Sequence, residues 1–196
     1  MNRSLRVLLA LALALCAAAG RAQPLPRPVD LPIRNIPQET DVWCWAAVAQ
    51  QIVMATRGAS NTPPQCALVA IANDAPAGAC CSGYNPACVR TGSIAQIRSL
   101  IARFGGRPSA YAAPTDPMTL YRTLAAGYAV IIEVNTGQNV SHVVVVRGMA
   151  FQPTPAGVQP VLFVNDPMAM FTQPVPFARI ASIWMSAIVV GNKVIP

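Results

Sequence analysis

The sequence predicts an α+β fold in which a helical first half precedes an antiparallel sheet. Two observations carry that prediction. Between residues 43 and 127 the chain has alanine- and leucine-rich segments bounded by capping residues and glycine stops. From residue 128 onward, β-branched runs separated by turn residues take over. Helices in one run and strands in the next favour segregated layers, whereas strict alternation would favour a parallel sheet. The chain has 196 residues, enough for one domain with a sizeable core. Hydrophobic residues make up 54% and charged residues 11%, and the mean hydropathy is +0.43, which excludes intrinsic disorder.

The elements are read in chain order. Arg3 and Arg6, the apolar run from Leu8 to Ala19 and the small residues through Ala22 have the pattern of a secretory signal peptide over 1–22, cleaved after Ala22. The apolar run is too short for a membrane span, which needs about 20 residues. Residues 23–35 are proline-rich and expected to be extended. Residues 36–196 are read as one domain. Within it, Trp43 to Arg57 is an apolar, alanine-rich helix stopped by Gly58. Pro64 to Asn73 is a shorter helix, and residues 74–92 are a loop rich in cysteine, glycine and proline. Ser93 caps a helix through Phe104 that Gly105 ends, and Asp116 followed by Pro117 opens another that ends at Gly127. Residues 128–134, 141–149, 160–166 and 182–190 are the strands.

Without the leader, Arg3, Arg6 and Arg21 are lost. Eleven basic residues then face seven acids, and the net charge falls from +7 to +4. The remaining arginines are scattered and form no basic stripe, which argues against a nucleic-acid partner. No later stretch is long enough to span a bilayer.

Five cysteines remain once Cys16 is removed with the leader: Cys44, Cys66, Cys80, Cys81 and Cys88. Exported proteins meet oxidising surroundings in which disulfides persist. Four of the five cluster in 66–88, which predicts two disulfides there and a free Cys44. A bridge between the adjacent Cys80 and Cys81 would be a strained ring. Cys66 is therefore expected to pair with one of the doublet and Cys88 with the other, without the sequence choosing between the two arrangements. A structural zinc site is disfavoured, because there is no C-x-x-C pair and His142 is the only histidine. No metal or organic cofactor is expected.

The free Cys44 falls at the start of the apolar helix, where unpaired N–H groups and a partial positive charge favour a thiolate. A thiol nucleophile needs a base, and His142, at the start of a strand, is the sole histidine available. Asp166, at the end of the next strand and followed by Pro167, is the candidate to orient the imidazole. Asn165 points to the other face of that strand and is the fallback. Gln38, six residues before the thiol, can donate a side-chain N–H to an oxyanion, with the Cys44 backbone N–H as the second donor. Trp43 and Trp45 are expected to pack beside the nucleophile, one of them also walling the cleft. The sequence N-V-S at Asn139 matches a glycosylation acceptor.

The order Gln38, Cys44, His142, Asp166, with C-W-A at 44–46, resembles the papain-like cysteine peptidases. The short secreted bacterial members are the most similar, related to a plant-pathogen effector peptidase group and to bacteriocin-leader-processing peptidases. Their shared pattern is matched here by WCWAA at 43–47, Q-C at 65–66, the doublet at 80–81, the later Cys88, the H-V-V strand at 142–144 and D-P at 166–167. The chain departs from papain in having Asp41-Val42-Trp43 before the thiol, so the disulfide papain forms there is missing, and in having Asp rather than Asn as the third residue. With 21 residues between the expected mature start and Cys44, no large inhibitory propeptide fits.

The resemblance implies a papain-like fold, with an N-terminal helical lobe carrying the nucleophile helix packed on a C-terminal antiparallel sheet. It also implies thiol-dependent hydrolysis of protein or peptide substrates by a monomer in the periplasm or outside the cell. A cell-wall amidase or a transglutaminase-like acyl transferase would use the same residues on the same fold. A disulfide-stapled binding module without turnover is the reading from another class.

Overall fold

The computed structural model describes residues 24–83, 85–137 and 141–194. The expected leader at 1–22, Cys16 within it and the Asn139 motif lie outside the described residues. Seven strands form an antiparallel sheet: β1 (Val29–Asp30), β2 (Pro108–Ala110), β3 (Val130–Asn135), β4 (Ser141–Thr154), β5 (Gly157–Asn165), β6 (Val175–Pro176) and β7 (Trp184–Val190). Their order is β2-β7-β3-β4-β5-β6, with β1 added on β4.

Strand β4 organises the sheet. Its first half, Ser141 to Val146, pairs with β3. Further along, Gly148 and Met149 pair with β1. Strand β5 pairs with β4 from Val145 to Thr154, with a bulge between Val146 and Gly148. The glycine at that bulge is required by a close approach: a Cβ on Gly148 would stand 2.3 Å from the Val29 carbonyl oxygen and 2.7 Å from the Phe163 ring. Any side chain there would push β1 off the sheet.

The helices are α1 (Cys44–Arg57), α2 (Gln65–Ala72), α3 (Ile94–Arg103), α4 (Pro117–Ala125) and α5 (Phe177–Ser182). Helix α1 buries every residue from Trp45 to Val53. A surface helix buries one stripe, so burial all round marks an interior helix. The small alanines at 46, 47 and 49 let α2, α3 and β4 approach it closely. Gly58, at φ 83°, ends it with its N–H on the Met54 carbonyl. Ser93 and Gln96 form a reciprocal capping box on α3, and the Asp116 carboxylate caps α4 at the Met118 N–H. Each such cap contributes about 1 kcal/mol.

Two disulfides, Cys66–Cys81 and Cys80–Cys88, staple the loop between α2 and α3. They use one member of the doublet each and resolve the choice that the sequence leaves open. The staple also anchors the start of α1. The Trp43 indole N–H donates to the Cys88 carbonyl at 2.9 Å, and that of Trp45 to the Arg90 carbonyl at 3.4 Å. Gly92 lies flat on the Trp45 ring, where a Cβ would stand 2.2 Å from it. The tryptophans are 5% and 1% exposed. Both pack in the core, as expected.

Other expectations are extended or corrected. Strands β4 and β5 run on through Pro153 and Pro160, which pair opposite Val158 and Phe151. The last strand starts at Trp184, because α5 occupies the residues just before it. Strands β1, β2 and β6 and helix α5 are not signalled by local sequence. No helix among the described residues is long and apolar enough to cross a membrane.

Candidate active site

Cys44 is the first residue of α1, half-buried, and the free cysteine among the described residues. Unlike α3 and α4, α1 has no side-chain cap, and like them it has no acidic residue in its first turn. The backbone N–H groups of a first helical turn have no partners within the helix. Here no side-chain oxygen caps them, and the first residue of the turn carries the thiol.

His142, the second residue of β4, is 2% exposed. The register of β4 on β5, Val145 opposite Asn165, carries Asp166 alongside the start of β4. His142 Nε2 and Asp166 Oδ1 are 2.7 Å apart. Three backbone N–H groups also donate to this carboxylate: Met168 to Oδ1 at 2.9 Å, and Met170 and Phe171 to Oδ2 at 2.5 and 3.0 Å. A carboxylate ringed by donors can only accept, so the His142 proton sits on Nε2. Burial alone would raise the Asp166 pKa. The His142 hydrogen bond and the Met168 and Phe171 N–H groups outweigh it and hold the carboxyl below its ordinary range.

His142 Nδ1 is buried and has no hydrogen-bond partner of regular geometry. It is the ring nitrogen left for Cys44. Burial pulls the imidazole pKa down, but the interactions with Asp166 and then Cys44 push it up to about 9. The thiol is close enough to act on the ring without a regular hydrogen bond to it. Such contacts are often loose before substrate arrives. His142, Asp166 and Cys44 are thus brought together.

Gln38 lies on the loop before α1. Its backbone N–H donates to the Pro167 carbonyl at 3.2 Å, tying the loop to the residue after Asp166. Its side-chain Nε2 donates to the Thr40 carbonyl at 2.6 Å, which leaves the second Nε2 proton available. Gln38 Oε1 and Thr40 Oγ1 are buried without partners. Asn165, the fallback orienter, is committed elsewhere. It donates to the Ile33 carbonyl at 2.8 Å and holds the incoming chain.

Asn35, Gln50, Gln51 and Gln65 form a set of amides around this loop to which the sequence reading assigned no role. Polar residues at a helix start or within an alanine-rich helix read as solvent-facing, and only the burial of Gln50, Gln51 and Gln65 sets those three apart. Among the described residues no group of three or more His, Cys, Asp and Glu could hold a metal ion.

No family model matches the sequence, and the search of curated proteins finds no relative. A solved structure does match. It is a protein from Bacillus anthracis described as a C39-like peptidase, an assignment that is itself provisional. The match has a TM-score of 0.57 at 16% identity and covers 87% of this chain and 100% of that one. The likeness establishes the architecture: this chain has the papain-like α+β fold, a helical lobe that carries the Cys44 helix packed on an antiparallel sheet.

Proposed function

We propose that the protein is an exported, thiol-dependent peptidase, with Cys44 as nucleophile, His142 as base and acid, Asp166 as orienter and Gln38 as oxyanion donor. The observation that carries the reading is the His142–Asp166 pair at 2.7 Å with Nδ1 left to an uncapped helix start bearing the free thiol. The likeness to the C39-like peptidase supports the same class of chemistry on the same fold. The two disulfides fit a protein that matures in an oxidising compartment.

The reaction follows from the geometry. Below about pH 9 His142 holds the Cys44 proton on Nδ1 in a thiolate–imidazolium pair, and Asp166 stabilises the imidazolium through Nε2–H. The thiolate attacks the substrate carbonyl, and the oxyanion is held by the free Gln38 N–H and the Cys44 backbone N–H. One such donor contributes about 2.7–4 kcal/mol in the transition state. The imidazolium then protonates the departing amine. Water, deprotonated by His142, releases the acyl group from sulfur.

The test is a cleavage profile of the mature oxidised protein against a peptide library, run with and without added amines and beside a peptidoglycan digest. Hydrolysed peptides, lost in Cys44→Ala, are expected. Amine-coupled products alone, or cleavage confined to peptidoglycan, would replace hydrolysis of proteins with acyl transfer or wall amidase activity.

A further inference from the structure

Gln65 is the first residue of α2 and fully buried, at 0% exposure. Its carboxamide brackets the proposed oxyanion donor. Oε1 accepts the Glu39 N–H at 2.9 Å, and Nε2 donates to the Pro37 carbonyl at 2.8 Å. These are the backbone groups on either side of Gln38. The second Nε2 proton reaches Gln50 Oε1 of α1 at 3.2 Å. The orientation of the amide is not arbitrary, since a backbone N–H can only donate and a carbonyl can only accept. Gln50 in turn donates to the Pro63 carbonyl, just before α2. Gln51, 1% exposed, donates to Asn35 Oδ1 and the Ile36 carbonyl. The loop is therefore fastened to the helix that carries Cys44 and, through Gln65, to the helix that carries the first disulfide cysteine, Cys66.

Burying a carboxamide is unfavourable unless its hydrogen bonds are made. At Gln65 they are made to the loop backbone and to Gln50. We infer that Gln65 is a positioning residue for catalysis: it sets the distance between Gln38 and the Cys44 thiol by clamping residues 37 and 39. The inference rests on the peptidase reading for its kinetic consequence, but the clamp itself can be tested without turnover. Its effect should be confined to the step that builds an oxyanion, because Gln65 touches neither Cys44 nor the His142–Asp166 pair.

The experiment compares Gln65→Met, which keeps the volume and removes the polar atoms, with Gln65→Glu, which keeps the acceptor for Glu39 and loses both donors. Three quantities are read: kcat and KM on a fluorogenic peptide that the wild type cleaves, the iodoacetamide alkylation rate of Cys44, and amide hydrogen exchange across residues 36–41.

For Gln65→Met we expect kcat to fall about 10–100-fold with KM within about twofold, alkylation near the wild-type rate, and faster exchange in 36–41 with α1 still protected. Adding Gln65→Met to Gln38→Ala should cost little more than Gln38→Ala alone, since both act through one group. For Gln65→Glu the activity relative to wild type should recover as pH falls, because the protonated carboxyl regains a donor for Pro37.

Equal losses of turnover and alkylation would overturn the inference, as would multiplicative effects in the double variant. Unchanged exchange in 36–41, or unfolding of both variants, would also overturn it, since the role claimed is confined to the loop. If the wild type cleaves no peptide, the peptidase reading falls, while the exchange data still decide whether Gln65 clamps the loop.

Discussion

The proposed acid–base side and the proposed oxyanion side of the site are held by different means. Asp166 is served by its own turn: the Met168, Met170 and Phe171 N–H groups lie within five residues of it, and with His142 they fill its acceptor sites. The Gln38 loop is held from a distance by Gln51 of α1, Gln65 of α2 and the segment after β5. It also retains two buried oxygens without partners, Gln38 Oε1 and Thr40 Oγ1. A locally closed, saturated group keeps its geometry when distant packing changes. A loop fastened by long-range amides depends on the helical and sheet halves being docked. Damage to the first side should therefore show in pH dependence, and damage to the second in kcat at constant pH profile.

The largest effect belongs to the proposed nucleophile and its base. Cys44→Ala and His142→Ala should each lower turnover by about 10⁴-fold or more with the fold intact by circular dichroism. Full activity in His142→Ala would remove the acid–base side altogether, as the chain has no other histidine.

On the oxyanion side, Gln38→Ala should lower kcat by about 10²–10³ with little change in KM. Iodoacetamide should still alkylate Cys44 at near the wild-type rate, because that displacement builds no tetrahedral oxyanion. Gln38→Glu should be at least as damaging, since an ionised carboxylate cannot donate and repels the developing charge. Parallel losses of turnover and alkylation would make Gln38 a support of the helix start instead.

On the acid–base side, Asp166→Ala should cost less activity than His142→Ala but should move the pH profile. His142 loses its proton as pH rises through about 9. Without Asp166, burial is less opposed and the imidazole pKa falls, so the alkaline limb of kcat/KM moves to lower pH. As His142 is the sole histidine, its titration is one NMR signal and checks the shift directly.

The same pair affects stability. The raised His142 pKa contributes fully below its ordinary value of 6.5, and that contribution is lost as pH rises through about 9. The depressed Asp166 pKa contributes above its ordinary 3.8, and that contribution is lost as pH falls through the lower folded value. Wild-type Tm should decline between pH 6.5 and 9, and His142→Ala should lack that decline.

The smallest effect on activity is expected at the staple. Removing the Cys80–Cys88 bridge by paired serine substitutions should cost about 2–4 kcal/mol of stability, read as a lower Tm. Turnover well below that Tm should change only modestly, because Trp43 keeps its packing.

The sequence makes the two sides unequally legible, for the same reason that they are unequally built. Helix α1, the capped starts of α3 and α4 and the central strands follow from local periodicity and caps. Cys44, His142 and Asp166 stand out through odd cysteine count, uniqueness and strand ends. Asp166 also caps its own turn, so its structural and functional readings coexist on one side chain. What local sequence hides is long-range. Val29–Asp30 and Pro108–Ala110 become strands only because β4 and β7 offer edges. Gln65 matters only because folding brings residues 37 and 39 to it across 28 and 26 positions of chain, respectively.

The central claim, that Cys44 forms a covalent acyl intermediate with His142 as its base, is tested most directly by acid-quench mass spectrometry. The mature protein is mixed with an activated peptide ester, quenched within the first turnover and digested. The account predicts the acyl mass on the peptide that contains Cys44 in the wild type, and its absence in His142→Ala. Hydrolysis that proceeds with no adduct, or with the adduct on another residue, would contradict it.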